Sequence, residues 1–262
     1  MLRTKEIKDL KKLSEINISD TTSCKIPLFH GTRRYALQVE ETVRNRFYEA
    51  CKTVILFAQM FDFRNKIDNE ALKSYQRKNN PLFLEPSVYA FERCSNFEYG
   101  DLYVTPGFST AFSYTHDAGG ELGERAYRQC EGFNHFAIEL DEHTLEATKI
   151  VIEEYEKYRN SERVILAYFG VKFTDLLHEG GSPFWHDDEY MQEDIEYLYE
   201  NAIDTDHSQA HTALRLINPD AYTPYIIPEK DFRKGFEIFT KIQDIDEFIK
   251  NQNRTNSTKW KL

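Results

Sequence analysis

A short apolar run, Ile26-Pro27-Leu28-Phe29, stops at His30-Gly31-Thr32, and the chain then changes period. From Val39 onward, Val43, Phe47, Ala50, Val54, Phe57 and Phe61 recur at steps of three and four. That spacing lays one apolar stripe along a helix. A buried strand over 26–30 is therefore followed by a long helix rather than by a hairpin partner. Further along, residues 102–105, 134–140, 163–169, 222–227 and 236–242 read as strands. Residues 4–14, 69–78, 108–115, 121–129, 144–158 and 189–202 read as helices. Pro106-Gly107 and Gly180-Gly181-Ser182-Pro183 break the chain between elements. The order is mixed rather than regularly alternating, so the expected class is α+β.

The 262 residues suit one large domain, expected over 1–250, with a helical insertion at about 36–80, another insertion at about 171–220 and a flexible polar tail over 251–262. The net charge of -11 argues against wrapping a phosphate backbone, so no nucleic-acid partner is expected. Cys24, Cys51, Cys94 and Cys130 are widely spaced without a CxxC pair, which reads as reduced thiols in a cytosol. The longest apolar stretch, 54–61, is interrupted by Gln59 and too short to span a bilayer, so no membrane partner is expected. The start of the chain lacks the apolar core of a secretory signal.

Three stretches carry candidate chemistry. In the first, Gly31 lets the backbone approach a flat ligand closely while His30 and Thr32 offer polar groups beside it. In the second, Tyr103 on a strand and Tyr114 on the following helix are placed to face each other across a slot, with the hydroxyls of Ser109 and Thr110 nearby. In the third, Glu237 is a carboxylate inside the apolar run Phe236-Glu237-Ile238-Phe239-Thr240, expected as a strand. A carboxylate there can hold a hydroxyl and stabilise a developing cation. Each also has a plainer reading, as a strand-end turn, two core rings and an outward strand position. His186, Asp187, Asp188, Asp204, Asp206, His207 and His211 form a weaker set, since acidic loops with His are usually solvated; no metal site is expected. Gly-rich nucleotide loops and the GxSxG elbow are absent from the sequence.

In this order the three stretches resemble the ADP-ribosyltransferase superfamily, and within it the His-Tyr-Glu branch of diphtheria toxin and the poly-ADP-ribose polymerases. The matching residues are His30-Gly31-Thr32, Gly100-Asp101-Leu102-Tyr103 with Tyr114, and Glu237. The chain departs from the branch's pattern by one extra residue between Gly100 and Tyr103. It also has Ala111 where a serine precedes the second tyrosine, and Gly235 two residues before Glu237. The resemblance implies a split, mixed β-sheet core with a helical insertion after the first strand, and NAD as substrate without a metal. His30 would hold a ribose hydroxyl and Gly31 the carboxamide. Tyr103 and Tyr114 would stack on nicotinamide in a cleft between two small sheets.

Glu237 would stabilise the oxocarbenium-like state formed as the nicotinamide–ribose bond breaks, with Glu139 on the 134–140 strand as second candidate. The resemblance thus implies a mono-ADP-ribosyltransferase acting on a target protein, a cytosolic enzyme, as a monomer. Phe108-Ser109-Thr110, similar to the Ser-Thr-Ser strand of the arginine-centred branch, leans the acceptor toward arginine. A compact acidic transferase of this kind is similar to a bacterial effector, cytoplasmic or secreted into a host cytosol. Two other readings stay open: an inactive module that binds NAD or ADP-ribose, and a metal-dependent hydrolase built on His186, Asp187, Asp188, His207 and His211.

Overall fold

β2 (Leu28–Arg33) is the strand around which the other elements are arranged. The computed structural model describes residues 3–7, 9–61, 102–116, 118–178 and 214–239, with a few positions between 66 and 74. Before β2 come β1 (Lys5–Glu6) and α1 (Lys11–Ser14). After it come α2 (Arg34–Gln38), α3 (Glu41–Phe61), β3 (Leu102–Val104), α4 (Phe108–Tyr114), α5 (Gly120–His135) and α6 (Glu142–Arg159). The chain continues with β4 (Arg163–Tyr168), β5 (Leu176–His178), β6 (Leu214–Leu216), β7 (Tyr225–Pro228) and α7 (Phe232–Phe239). The class is α+β, as expected.

The strands form two sheets, ordered β1-β7-β4-β2 and β3-β6-β5. β1 runs parallel to β7, and every other pair is antiparallel. β2 is an edge strand, fully in register with β4 from Leu28↔Tyr168 to Arg33↔Arg163. The sheets are joined at one point, where Phe29 and Thr105 exchange backbone hydrogen bonds of 2.7 and 2.8 Å.

Alternation along the strands sorts the side chains into two cores. Leu28, Val164, Leu166, Tyr168 and Ile226 of the first sheet meet Val104, Leu176, Leu214 and Leu216 of the second. Phe29, Ile165, Ala167 and Ile227 point the other way, into a layer made by α1, α4 and α7. α3, α5 and α6 pack on one another as a separate helical unit around Phe47, Val54, Cys130, Val151 and Tyr155. The helical elaboration is therefore not confined to 36–80, and the 171–220 segment begins and ends with strands of the second sheet.

Two expected strands are helical or irregular. Over 134–140, α5 continues to His135 and then ends in a left-handed cap. The Ala137 N–H bonds the Asn134 carbonyl at 3.3 Å and the Ile138 N–H bonds the Phe133 carbonyl at 2.9 Å, a Schellman arrangement with Ala137 at φ 49. The short alternation His135–Glu139 therefore belongs to a helix end whose Phe136 and Ile138 turn back onto the bundle. Over 236–242, the described part is helical: α7 puts Phe232, Gly235 and Phe236 on one buried face. A short apolar run does not separate strand from buried helix by period alone, and Gly235 lowers helix propensity. Gly235 is present because a Cβ there would lie 2.2 Å from the Phe108 ring. At the start of the chain, the expected helix is shorter and preceded by β1. Most of 69–78 and all of 189–202 lie outside the described residues.

An alanine held in the left-handed region costs about 1 kcal/mol that glycine avoids. Ala137→Gly is expected to raise the stability by about 0.5–1 kcal/mol, read as a higher urea midpoint with an unchanged slope.

Candidate functional site

His30 and Thr32 share the face of β2 that looks toward the second sheet, as Leu28 does, and both are partly buried. His30 Nδ1 lies 2.8 Å from the Tyr103 carbonyl oxygen. A carbonyl only accepts, so Nδ1 carries the proton and donates it. Nε2 of the neutral ring is then an acceptor, suited to a hydroxyl. Burial lowers the His30 pKa from its ordinary value, with the Tyr103 carbonyl partly opposing the shift. The ring is neutral at pH 7.

Gly31 serves two separate ends. Its missing side chain lets α4 sit against β2, since a Cβ would lie 1.8 Å from the Ala111 carbonyl oxygen. Its main chain faces the other way from β4. The backbone groups of Phe29 point to Thr105, and the Arg34 N–H points back to Glu162 beside β4. Odd-numbered residues of β2 therefore direct N–H and C=O along the sheet's open edge, and Gly31 is the next one past the Thr105 bridge. Such an edge can hold both a donor and an acceptor of a carboxamide.

Across the split, the second sheet turns Leu102, Val104, Leu214 and Leu216 into the shared core. Tyr103 alternates to its outer face, where Arg215 and Leu177 lie directly across from it. The space between the sheets is thus filled by side chains and is not a cleft. The open region lies where the sheets part, along the free edge of β2 and the outer face of β3 and β6. Ser109 and Thr110 are buried in the first turn of α4, and Tyr114 ends that helix 42% exposed. The reversal before α4 is held by the Gly107 N–H donating to Thr105 Oγ1 at 3.2 Å.

The glutamates fall elsewhere. Glu237 lies on the solvent side of α7, 3.6 Å from Arg233 one turn earlier. α7 packs on α4, over the face of the first sheet opposite to His30. Glu139 is exposed in the loop after α5, on the helical unit. Neither residue is on a strand as expected. His186, Asp187, Asp188, Asp204, Asp206, His207 and His211 lie outside the described residues, among which no cluster of metal-ligating side chains occurs. Cys24, Cys51 and Cys130 are buried free thiols; burial pushes Cys24 and Cys130 up to about 12, and Cys94 lies outside the described residues.

One polar cluster at the far end of β2 escaped the sequence reading. Arg33 donates to the carbonyls of Arg159, Ser161 and His116, at the ends of α6 and α4. Arg163 reaches the His116 ring and pairs with Glu229 just after β7. The Arg163 guanidinium holds the Glu229 carboxyl below its usual range against the opposing effect of burial. The only sequence signal was basic residues at strand ends beside helix C-termini, where cations are favoured. Comparison of the chain with protein-family profiles, curated proteins and solved structures returns no match.

Gly31→Ala is expected to cost about 3 kcal/mol or more, because the neighbour it meets is helix backbone. A thermal or urea melt checks this. His30 binds its proton more weakly folded than unfolded, so its contribution is complete above its ordinary pKa of 6.5 and is lost as pH falls toward the lowered native value. His30→Gln should flatten that part of the stability–pH curve, measured by urea midpoints between pH 7.5 and about 5.

Proposed function

We propose that this chain binds NAD where the two sheets part and transfers ADP-ribose from it to a side chain of a protein. One observation carries the reading. The 2.8 Å bond from His30 to the Tyr103 carbonyl draws the His-Gly-Thr strand and the tyrosine strand together. The Gly31 main chain is thereby left at an open sheet edge next to them. In this reading the Gly31 N–H and C=O pair with the carboxamide, Tyr103 stacks on nicotinamide, and His30 Nε2 accepts from a ribose hydroxyl. Tyr114, exposed at the end of α4, closes over the ring from the other side. The net charge of -11 favours an acceptor protein with a basic face.

Transfer requires a group that stabilises the oxocarbenium-like state, a contribution of about 3–4 kcal/mol for one well-placed residue. Glu237 is the residue that the family resemblance nominates, and its position on the solvent side of α7 is the weak point of the transfer reading. That observation favours a second reading, in which the same site binds NAD or ADP-ribose as a recognition module without transfer.

Two measurements separate these readings. With NAD present, the protein should show saturable binding by calorimetry, and His30→Gln should weaken it about tenfold or more. Labelled NAD with a cell lysate should yield a labelled protein band and free nicotinamide, the latter chromatographically resolved. Binding without either product would leave the recognition module standing and remove transfer. Absence of binding would remove both. Glu237→Ala should leave NAD affinity within about twofold, because its side chain lies outside the site.

A further inference from the structure

We infer that Arg215 grips the diphosphate of the dinucleotide, which makes the outer face of β3 and β6 the part of the site that recognises the phosphates. The inference rests on the NAD reading above and names a residue that the sequence motifs did not include.

The argument begins with register. Tyr103 on β3 stands directly across from Arg215 on β6, which in turn stands across from Leu177 on β5. Residues facing each other in an antiparallel pair project from the same face with Cβ atoms about 5 Å apart. Their neighbours Leu102, Val104, Leu214, Leu216 and Leu176 all enter the core between the sheets. Tyr103 and Arg215 are therefore on the opposite face together, both partly buried. His30 fixes the backbone at this same residue through the Tyr103 carbonyl, so the position of the pair relative to β2 is set.

The chemistry follows from charge. The chain carries 44 acidic against 33 basic residues, so an anionic ligand needs a local cation to offset the general field. A guanidinium on a half-buried strand position supplies that charge with planar, paired donors that match phosphate oxygens. Its side chain is longer than the tyrosine beside it. With nicotinamide stacked on Tyr103, the next charged part of the ligand along the chain of atoms is the diphosphate. A bare guanidinium beside the ribose would oppose a developing cation there. Pairing with the diphosphate removes that opposition, so the same contact serves binding and leaves transfer chemically open.

The test uses the full chain and calorimetric titration with NAD and with nicotinamide riboside, which shares the ring and ribose but has no phosphate. Arg215→Gln should weaken NAD about 10- to 100-fold, the loss of a charge-assisted contact, with nicotinamide riboside affinity held within about twofold. Arg215→Lys should fall between wild type and Arg215→Gln, because a point charge replaces a fork. Its melting curve shows whether the strand tolerates change at this position. NAD affinity unchanged in Arg215→Gln, in a variant that melts as wild type does, would overturn the inference while leaving the NAD site intact. An equal loss for NAD and nicotinamide riboside would also overturn it, placing Arg215 at the ring. Wild-type protein that binds neither ligand would overturn the NAD site itself, and the inference with it.

Discussion

The reciprocal hydrogen bonds between Phe29 and Thr105 hold the molecule's two sheets in one arrangement. They pair an edge of the four-stranded sheet with the end of a three-residue strand that would not be stable by itself. The Phe29 side chain reinforces this from the other direction, with its ring 5.3 Å from Phe108 and 5.1 Å from Phe239. One residue thus sets the separation of the sheets through its main chain and the seating of α4 and α7 through its ring. Gly31 depends on that seating, since α4 must approach β2 closely for the Ala111 carbonyl to rest over it. His30 depends on it too, because Tyr103 is only two residues before Thr105.

The helical unit is organised differently. Glu124 receives the Arg128 Nε at 3.2 Å and the Tyr155 hydroxyl, and all three groups are buried between α5 and α6. A buried ion pair of this kind adds little net stability over an apolar core of the same shape, but losing one partner costs several kcal/mol. It fixes which faces of the two helices meet. Arg33 then ties this unit to β2 by donating to the carbonyls of Arg159 and Ser161 just after α6.

Most of the elements that frame the site were legible in the sequence because their patterns are long or sharply bounded. α3 and α6 carry apolar residues at helical spacing, and β4 is an unbroken apolar run; each is found close to its expected bounds. The failures occur where the pattern is short. Phe236-Glu237-Ile238-Phe239 and His135–Glu139 are each ambiguous in period. The first is decided by the ring cluster on α4 and the second by a helix cap, neither of which is local information. The adjacency of His30 and Tyr103 was inferred from resemblance, and the hydrogen bond between their strands gives it a physical basis. Arg215 could not be nominated from sequence, since strand register across a long intervening segment is not written in any local motif. Ser109 and Thr110 read as slot hydroxyls because spacing places them next to the slot, yet their helix turns them into buried positions.

β2 directs successive residues to different surroundings: Leu28 to the inter-sheet core, Phe29 to the helical layer, His30 to the tyrosine strand and Gly31 to α4 and the open edge. The strand therefore tolerates substitution far better than it tolerates a change of length. Deleting or inserting one residue before Leu28 without altering β4 would shift the register by one and exchange the two faces. The imidazole would then be driven against the Ala111 carbonyl and the glycine would face the second sheet. Relatives of this chain should accordingly vary in loop length on either side of β2 and keep the strand's own residue count, since a single slip removes the core, the helix seat and the site together.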